Sequence, residues 1–389
     1  MNEELSAILR LRECLIVVGM STTVRYNYRL RPGVQAERVL LADWGRTRWL
    51  WNELVAAKKD RSRRLLKGTD LTAARAANSW LREGGQDPQS AVIYNFKPKT
   101  ARQIKKKHSL PSIAYSANGF SIREGRLRLA KCPAIPVVWH RELPNEPSSV
   151  RVYRDSLGHW YASFVVEVED EQLPATGNSV GIDWGVSTIA TASDPAYDLE
   201  SPVYGLKAAK ELAKYQRRMA RRAPSRGQAG SRRYKHAKLQ TARTHKKVAR
   251  QRLHTTRVWA KKVVANNDVI AVEDFKPKFL TKSTMARKAA DNAIGITKTE
   301  LISRAERAGR IVVIVPPAYT TMTCSSCGTR AKNRLSLSER TFVCESCGLI
   351  EGRDRNAARV ILAQGETLLA SAETVRQGSL PSGELDLAS

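Results

Sequence analysis

The chain has 389 residues, too many for one ordinary core and enough for several compact units. Its 66 Lys and Arg against 37 Asp and Glu leave a formal net charge of +29, which suits a polyanionic partner, nucleic acid first and an anionic membrane second. The membrane fails on pattern: no apolar run approaches the ~18–20 residues of a spanning helix, and no signal peptide is evident, so the chain is expected in the cytoplasm.

Residues 1–20 read as an N-terminal extension with one short apolar run, Cys14–Met20. Val24–Leu30 alternate and predict a strand, ended by Arg31-Pro32-Gly33. From Val34 to about Lys67, Val39, Leu40, Trp44, Trp49, Leu50, Leu54 and Val55 recur at helical spacing. Helical character continues to about Pro111, with breaks at Gly84-Gly85 and Pro98. From Gly119 the period drops to two, and Phe120–Arg123, Arg126–Ala130, Val150–Arg154 and Trp160–Val168 predict strands. A sheet-forming domain interrupted by a helical insert accounts for this order.

At Ser179 the character changes. Ser179–Asp183 and Asp268–Glu273 are short apolar runs of the kind that form buried strands. Val186–Ala192 and Arg310–Val315 predict two more strands, and helices are expected around Ala293–Ala308 and Asn356–Ala363. The tail from Gly365 is expected to be loose. Residues 205–262 predict two helices broken around Pro224–Gly230, with 20 Lys and Arg against the one acid Glu211. Arg217, Arg218, Arg221, Arg222, Arg232, Arg233, Lys246, Lys247, Lys261 and Lys262 make a candidate nucleic-acid surface there. A few such charges would be a solvated helix face; a near-absence of acids over 58 residues points to contact.

Four of the six cysteines form one block. Cys324-x-x-Cys327 and Cys344-x-x-Cys347 stand 16 residues apart, with Gly328 and Gly348 just after each pair. Two such knuckles supply four thiolates, enough for one closed, structural zinc site. Cys14 and Cys132 read as ordinary core or surface residues.

Phosphodiester cleavage calls for charge neutralisation and an activated water, which two divalent ions held by carboxylates can supply. Three acids fit by position. Asp183 ends one apolar strand, Glu273 ends another, and Asp354 stands at the mouth of the last helix. An acid at a strand end also serves as a cap or an ion-pair partner, and Asp354 would make a good N-cap. Asp274 competes with Glu273, but strand neighbours face opposite sides, and the alternation favours Glu273.

Together GIDWGVSTIATAS, VIAVEDF and CSSCG…FVCESCGLIEGRDRNAARVIL resemble the three split RuvC segments and zinc ribbon of the TnpB family, transposon-encoded RNA-guided nucleases similar to type V CRISPR effectors. RYNYRLRPGVQAERVLLADWGRTRWLWNELV resembles the family's opening strand and helix, and PPAYTTMTCSSCG its lead-in to the ribbon. The resemblance implies an α+β multidomain fold. A wedge β-barrel (21–33 and 118–175) would be split by a helical recognition insert (34–117). An RNase H-like RuvC domain with a mixed α/β sheet (176–320 and 351–364) would hold an inserted zinc ribbon (321–350), with residues 365–389 as a flexible tail.

The same resemblance assigns Asp183, Glu273 and Asp354 to catalysis with two Mg²⁺ ions, and Cys324, Cys327, Cys344 and Cys347 to one Zn²⁺. It implies a guide RNA from the transposon end and a double-stranded DNA target with a short adjacent motif. The helix bearing Trp44, Trp49, Trp51 and Asn52 is the region expected to meet that motif, although its tryptophans fit a core better. Two departures stand out. Gly352 replaces an Asp frequent in the family, and Arg355 replaces a small or apolar residue, which could alter the charge of the cleft. The function expected is RNA-guided DNA cleavage. The alternative is a nuclease-inactive RNA-guided DNA-binding repressor, which should have lost an acid. A strand-joining transposase would need a Tyr or a differently spaced acidic triad.

Overall fold

The first two strands, β1 (Leu15–Ile16) and β2 (Ser21–Leu30), belong to different sheets. They mark the two compact units of the chain in this computed structural model, Ser21–Val168 and the sequence from Glu169 onward together with β1. The structure describes residues 15–16, 21–60, 65–98, 100, 103–169, 172–225, 227–275, 283, 285–333, 335–336 and 339–378. Cys14 and the rest of the expected extension apart from Leu15–Ile16, like residues 379–389, lie outside them.

The Ser21–Val168 unit is a barrel with helices. Helix α1 (Val34–Lys59) follows β2 and stops short of Lys67. Next come α2 (Asp70–Ala77), α3 (Ser79–Arg82) and α4 (Gln86–Tyr94). Strands β3 (Ser112–Ser116), β4 (Phe120–Arg123), β5 (Arg126–Leu129), β6 (Ile135–Val138), β7 (Ser149–Arg154) and β8 (Trp160–Glu169) complete it. The sheet order is β3-β7-β8-β2-β6-β5-β4. Its two edge strands are joined by the short 3₁₀ turn Ala117–Gly119, so the sheet nearly closes.

Alternation fills this barrel. Leu127 and Leu129 are buried between exposed Arg126 and Arg128, and Tyr28, Leu30, Val150, Val152, Ala162 and Phe164 point into the same core. Cys132 packs against that core half-buried, and burial pushes its thiol up to about 11. Helix α1 serves two cores. Ala36, Leu40 and Trp44 plug the barrel, while Leu50 and Leu54 meet Leu71 and Ile93 among the helices. Trp49 packs edge-on against Trp80, Trp51 donates to the Gln103 carbonyl at 3.0 Å, and Asn52 exchanges two hydrogen bonds with the Lys105 backbone. One boundary differs from expectation. Ser112–Ser116, assigned to the helical insert, is a barrel strand pairing antiparallel with β7. Only Ile113 and Tyr115 point inward there, too few positions to announce a period of two.

The second unit is built on a six-stranded mixed sheet. Its elements are β9 (Ser179–Trp184), β10 (Thr188–Ala192), β11 (Leu199–Glu200), α5 (Tyr204–Ala220), α6 (Arg232–Asn266) and β12 (Val269–Glu273). Then follow α7 (Ala286–Asn292), α8 (Ile294–Arg307), β13 (Ile311–Val315), β14 (Thr341–Val343), β15 (Ile350–Gly352) and α9 (Arg353–Gly378). The order is β1-β13-β12-β9-β10-β11. β12 runs parallel to both β9 and β13, while β10 and β11 are antiparallel, the RNase H-like arrangement.

Parity sorts the two faces of this sheet. Val180, Ile182, Ile270, Val272 and Val312 meet Trp259, Val263, Ile294 and Leu301 of α6 and α8. The odd-numbered residues Ala271, Val313 and Val315 face α9, where Ile361 covers them. Contact on that side is very close. A Cβ on Gly181 would stand 2.1 Å from the Ala358 carbonyl and 2.7 Å from the Leu362 amide, and one on Gly365 would stand 2.5 Å from the Ala271 Cβ. The helix lies directly on the strands because these two positions carry no side chain.

Two expectations are corrected here. The tail is not loose from Gly365, because α9 continues to Gly378. Leu368 and Leu369 prolong its apolar stripe, and the hydroxyls of Thr367 and Ser371 bond back to the preceding turn. Within the expected extension, Leu15 and Ile16 pair antiparallel with Val313 and Val312 as an edge strand. Gly181→Ala should destabilise this unit by about 1–3 kcal/mol through overpacking. Urea denaturation measures this, and an unmoved midpoint would mean that α9 is not seated on β9.

Candidate active site

Asp183 and Glu273 both carry the parity of the α9 face. Ile182 pairs with Val272 across β9 and β12, so the next residues, Asp183 and Glu273, stand side by side at the strand ends. Asp354 lies one helical turn before Ala358, the residue seated on Gly181, and Gly181 is two residues before Asp183 on the same face. The helix thus carries its first-turn carboxylate to the strand end that holds the other two.

The electrostatics agree with this proximity. Asp183 and Glu273 are buried, at 9% and 8% exposure. Burial, then the charges of Glu273 and Asp354, hold the Asp183 carboxyl well above its ordinary range, against the Trp184 amide and Arg353. Burial pushes Glu273 up to about 7, against Thr320 and Lys298. Asp183 is thus raised by both of the other acids. Asp354 is half-buried, with Arg340 at 3.6 Å and Arg353 at 3.7 Å. Oxygens of the three acids do not all fall within 4.8 Å of one another. A pair of ions ~3.5–4 Å apart would not require that, since each ion would need only some of the carboxylates. A hard oxygen donor set carrying excess negative charge in a buried setting fits divalent Mg²⁺.

Neighbouring side chains fix these acids. Lys298 of α8 donates to the Glu273 carbonyl and to Asp274 Oδ1, both at 3.2 Å, so Asp274 is held in an ion pair beside the end of β12. The buried Thr320 hydroxyl reaches Glu273 Oε1 at 3.4 Å. Buried Asn292 donates to the Val186 carbonyl at 2.8 Å and so braces the turn after Asp183. Sequence reading passed over Thr320, Lys298 and Asn292, because a lone polar residue in a loop or helix carries no spacing signal. Arg355 does not enlarge the positive charge of the cleft. It pairs with both oxygens of Asp198, at 3.0 and 2.6 Å, and donates to the Ala192 carbonyl, tying α9 to the β10–β11 side.

The four cysteines between β13 and α9 form a second centre. Their sulfurs all lie within 4.8 Å of one another, and Cys324–Cys347 and Cys327–Cys344 are each 3.6 Å apart. Tetrahedral zinc with Zn–S of ~2.3 Å requires sulfurs about 3.8 Å apart, so the cluster fits one closed zinc site. The knuckles repeat each other. Cys324 and Cys344 amides donate to Thr329 and Leu349, and Gly328 and Gly348 amides donate back to Cys324 and Cys344. Both glycines sit at positive φ, +73° and +76°, where a Cβ would be strained. Buried Asn356, two residues after Asp354, accepts from the Ser325 amide and donates to the Thr323 carbonyl, which joins the first knuckle to the start of α9.

Helices α5 and α6 pack as an antiparallel pair, with Met219 of α5 against Thr241. Of the ten basic candidates, Lys246 is half-buried and the others are exposed. Arg217, Arg218, Arg221 and Arg222 gather at the C-terminal end of α5. Lys262 is engaged within the fold, donating to the Ala196 carbonyl at 2.9 Å over the Tyr197 ring. Among the described residues, no helix is long and apolar enough to cross a membrane.

Sheet order, acid positions and the inserted four-cysteine module define an RNase H-like protein with a ribbon of the zinc-binding type. The family model described as probable transposase matches residues 163–284, and the Cas12f1-like TNB domain matches 296–361. A Streptomyces pristinaespiralis protein named "Putative RNA-guided DNA endonuclease" is 31% identical over 291 residues, covering 74% of this chain and 70% of that one. "Putative RNA-guided DNA endonuclease InsQ" of Escherichia coli (strain K12) is 26% identical, over 91% of this chain and 95% of that one. The fold also matches a Cas12f1–sgRNA–target DNA complex with a TM-score of 0.54 at 12% identity, over 88% of this chain and 99% of that chain. The chain belongs to the TnpB family.

Purified protein should contain about one zinc per chain, and Cys344→Ser should lose it together with part of the thermal stability. Metal analysis and a melting curve test this, and a metal-free wild type with the same melt would remove the zinc assignment. A second expectation concerns pH. Folded Glu273 keeps its proton up to about 7, against 4.5 ordinarily, so metal-free stability falls as pH rises through that window. A divalent ion binds the ionised carboxylates, so Mg²⁺ should raise the melting midpoint more at about pH 8 than at about pH 6. Equal shifts at both values would argue against ion binding by Glu273.

Proposed function

We propose that the chain is an RNA-guided DNA endonuclease of an insertion sequence that hydrolyses phosphodiester bonds at Asp183, Glu273 and Asp354. One observation carries this reading: three acids far apart in sequence meet at one end of an RNase H-like sheet, held there by strand register and the seat of α9. The names of its relatives point the same way. Two Mg²⁺ ions bound by these carboxylates would neutralise the scissile phosphate and activate water. Asp183, which feels the charge of both other acids, would hold metal together with them. Thr320 and Lys298 hold Glu273 in place from its side chain and its backbone.

The remaining parts take their roles around that centre. The exposed cations of α5 and α6 bind the backbone of guide RNA or of the guide–target heteroduplex, a contact that weakens with salt. Base pairing reads most of the target, and the Ser21–Val168 unit, as wedge and recognition domain, reads the short duplex motif beside it. Zinc at Cys324, Cys327, Cys344 and Cys347 stiffens the ribbon that delivers Asp354. A guide copied from the transposon end and a genomic target place the protein in the cytoplasm, at the nucleoid.

The test begins by sequencing RNA that copurifies with the protein, followed by cleavage of a guide-matched target with randomised flanks. Asp183→Asn should lower cleavage about 10³-fold or more while leaving guide RNA bound. Joint loss of RNA and cleavage would make the acid structural. Target binding without any cutting by the wild type would favour the nuclease-inactive repressor.

A further inference from the structure

Tyr319 stands one residue before Thr320, whose buried hydroxyl reaches Glu273. Its backbone is left-handed, at φ +66°. That region suits glycine or asparagine and is unusual for an aromatic residue. A turn there needs no ring, and a ring kept at a strained position asks for a use. The backbone holds the turn firmly, since the Tyr319 carbonyl accepts from the amides of Met322 and Thr323 and from the Thr323 hydroxyl. The side chain nevertheless stays 51% exposed, so it does not serve as core packing.

One face of the ring is covered. The Arg330 guanidinium lies over it at 3.1 Å from the centroid. Arg330 is itself exposed and is held there by the first knuckle, through its bridge to Thr323. A planar cation on one face of a half-exposed ring forms a stacking platform with a phosphate-binding group beside it. Aromatic rings paired with arginine bind single-stranded nucleic acid in this way, without regard to sequence.

We propose that Tyr319 and Arg330 form a stacking subsite for a nucleobase of the single DNA strand that enters the acid site, with the Tyr319 ring on the base and Arg330 near its phosphate. The proposal rests on the nuclease reading for its direction, because the ring adjoins Thr320 and through it Glu273. Tyr319 and Arg330 are positioning residues. They bond to no reacting atom, and they hold the strand where the carboxylates can act.

The test uses the full chain with its copurifying RNA, in the Asp183→Asn background so that nothing is cut. The probe is a short single-stranded oligodeoxynucleotide with one 2-aminopurine. Binding should quench its fluorescence. Tyr319→Ala should weaken binding about 5- to 150-fold and abolish the quench, while Tyr319→Phe and Tyr319→Trp retain both. Tyr319→Gly removes the strain along with the ring, so it should melt no lower than wild type yet bind as poorly as the alanine variant. Should Tyr319→Ala misfold, Tyr319→Leu keeps apolar bulk without a π face and should bind weakly. Wild-type affinity and quenching in the leucine or glycine variant would overturn the subsite, as would quenching by the matching oligoribonucleotide alone. Since the readout is binding, failure of the wild type to cut a guide-matched duplex would count against the nuclease reading and leave this result standing.

Discussion

The close seat of α9 on the mixed sheet is the constraint on which the second unit depends. Gly181 lets the Ala358 carbonyl and the Leu362 amide approach the strand where a methyl group would collide, and Gly365 does the same over Ala271. Two contacts along one helix fix both its height and its tilt. Asp354 rides on the first turn of this helix, which the Arg355–Asp198 pair also ties to the β10–β11 side, so its distance from Asp183 follows from that fit. Packing of this density tolerates little change, since interiors transmit small displacements.

The same fit creates an electrostatic problem that the surroundings partly relieve. Burial raises the carboxyls of both Asp183 and Glu273, and the charges of Glu273 and Asp354 raise Asp183 further. Lys298 and Arg353 counter some of this charge. By the family resemblance, Arg355 is a departure expected to alter the charge of the cleft. Instead, a bidentate pair with Asp198 ties it to the fold. The cations at the acidic centre are thus Lys298, Arg340 and Arg353, while Arg355 is engaged within the fold.

Much of this was legible in the residues. Ser179–Asp183 and Val269–Glu273 are short apolar runs ending in an acid, and both form strands of the central sheet. Thiol spacing announced the four-cysteine cluster, and the break between α5 and α6 followed from Pro224–Gly230. Other features carry no local signal. Ser112–Ser116 is too short to show its period, and α9 beyond Ala363 depends on contacts with distant strands. Thr320 and Asn292 act through single hydrogen bonds to partners remote in sequence, which no spacing rule encodes. The glycine seats could be read only once the helix lay on the sheet.

The position of the four-cysteine module between β13 and α9 has a consequence for biosynthesis. Two carboxylates leave the ribosome on β9 and β12, but the third follows only after both knuckles have been made. Asn356 bonds to the first knuckle, so the helix that brings this last acid is tethered to a module that thiolate coordination would complete. A nascent or truncated chain ending before α9 therefore displays an incomplete set of acids. Any hydrolytic capacity of this centre would switch on late, after synthesis of the rest of the sheet.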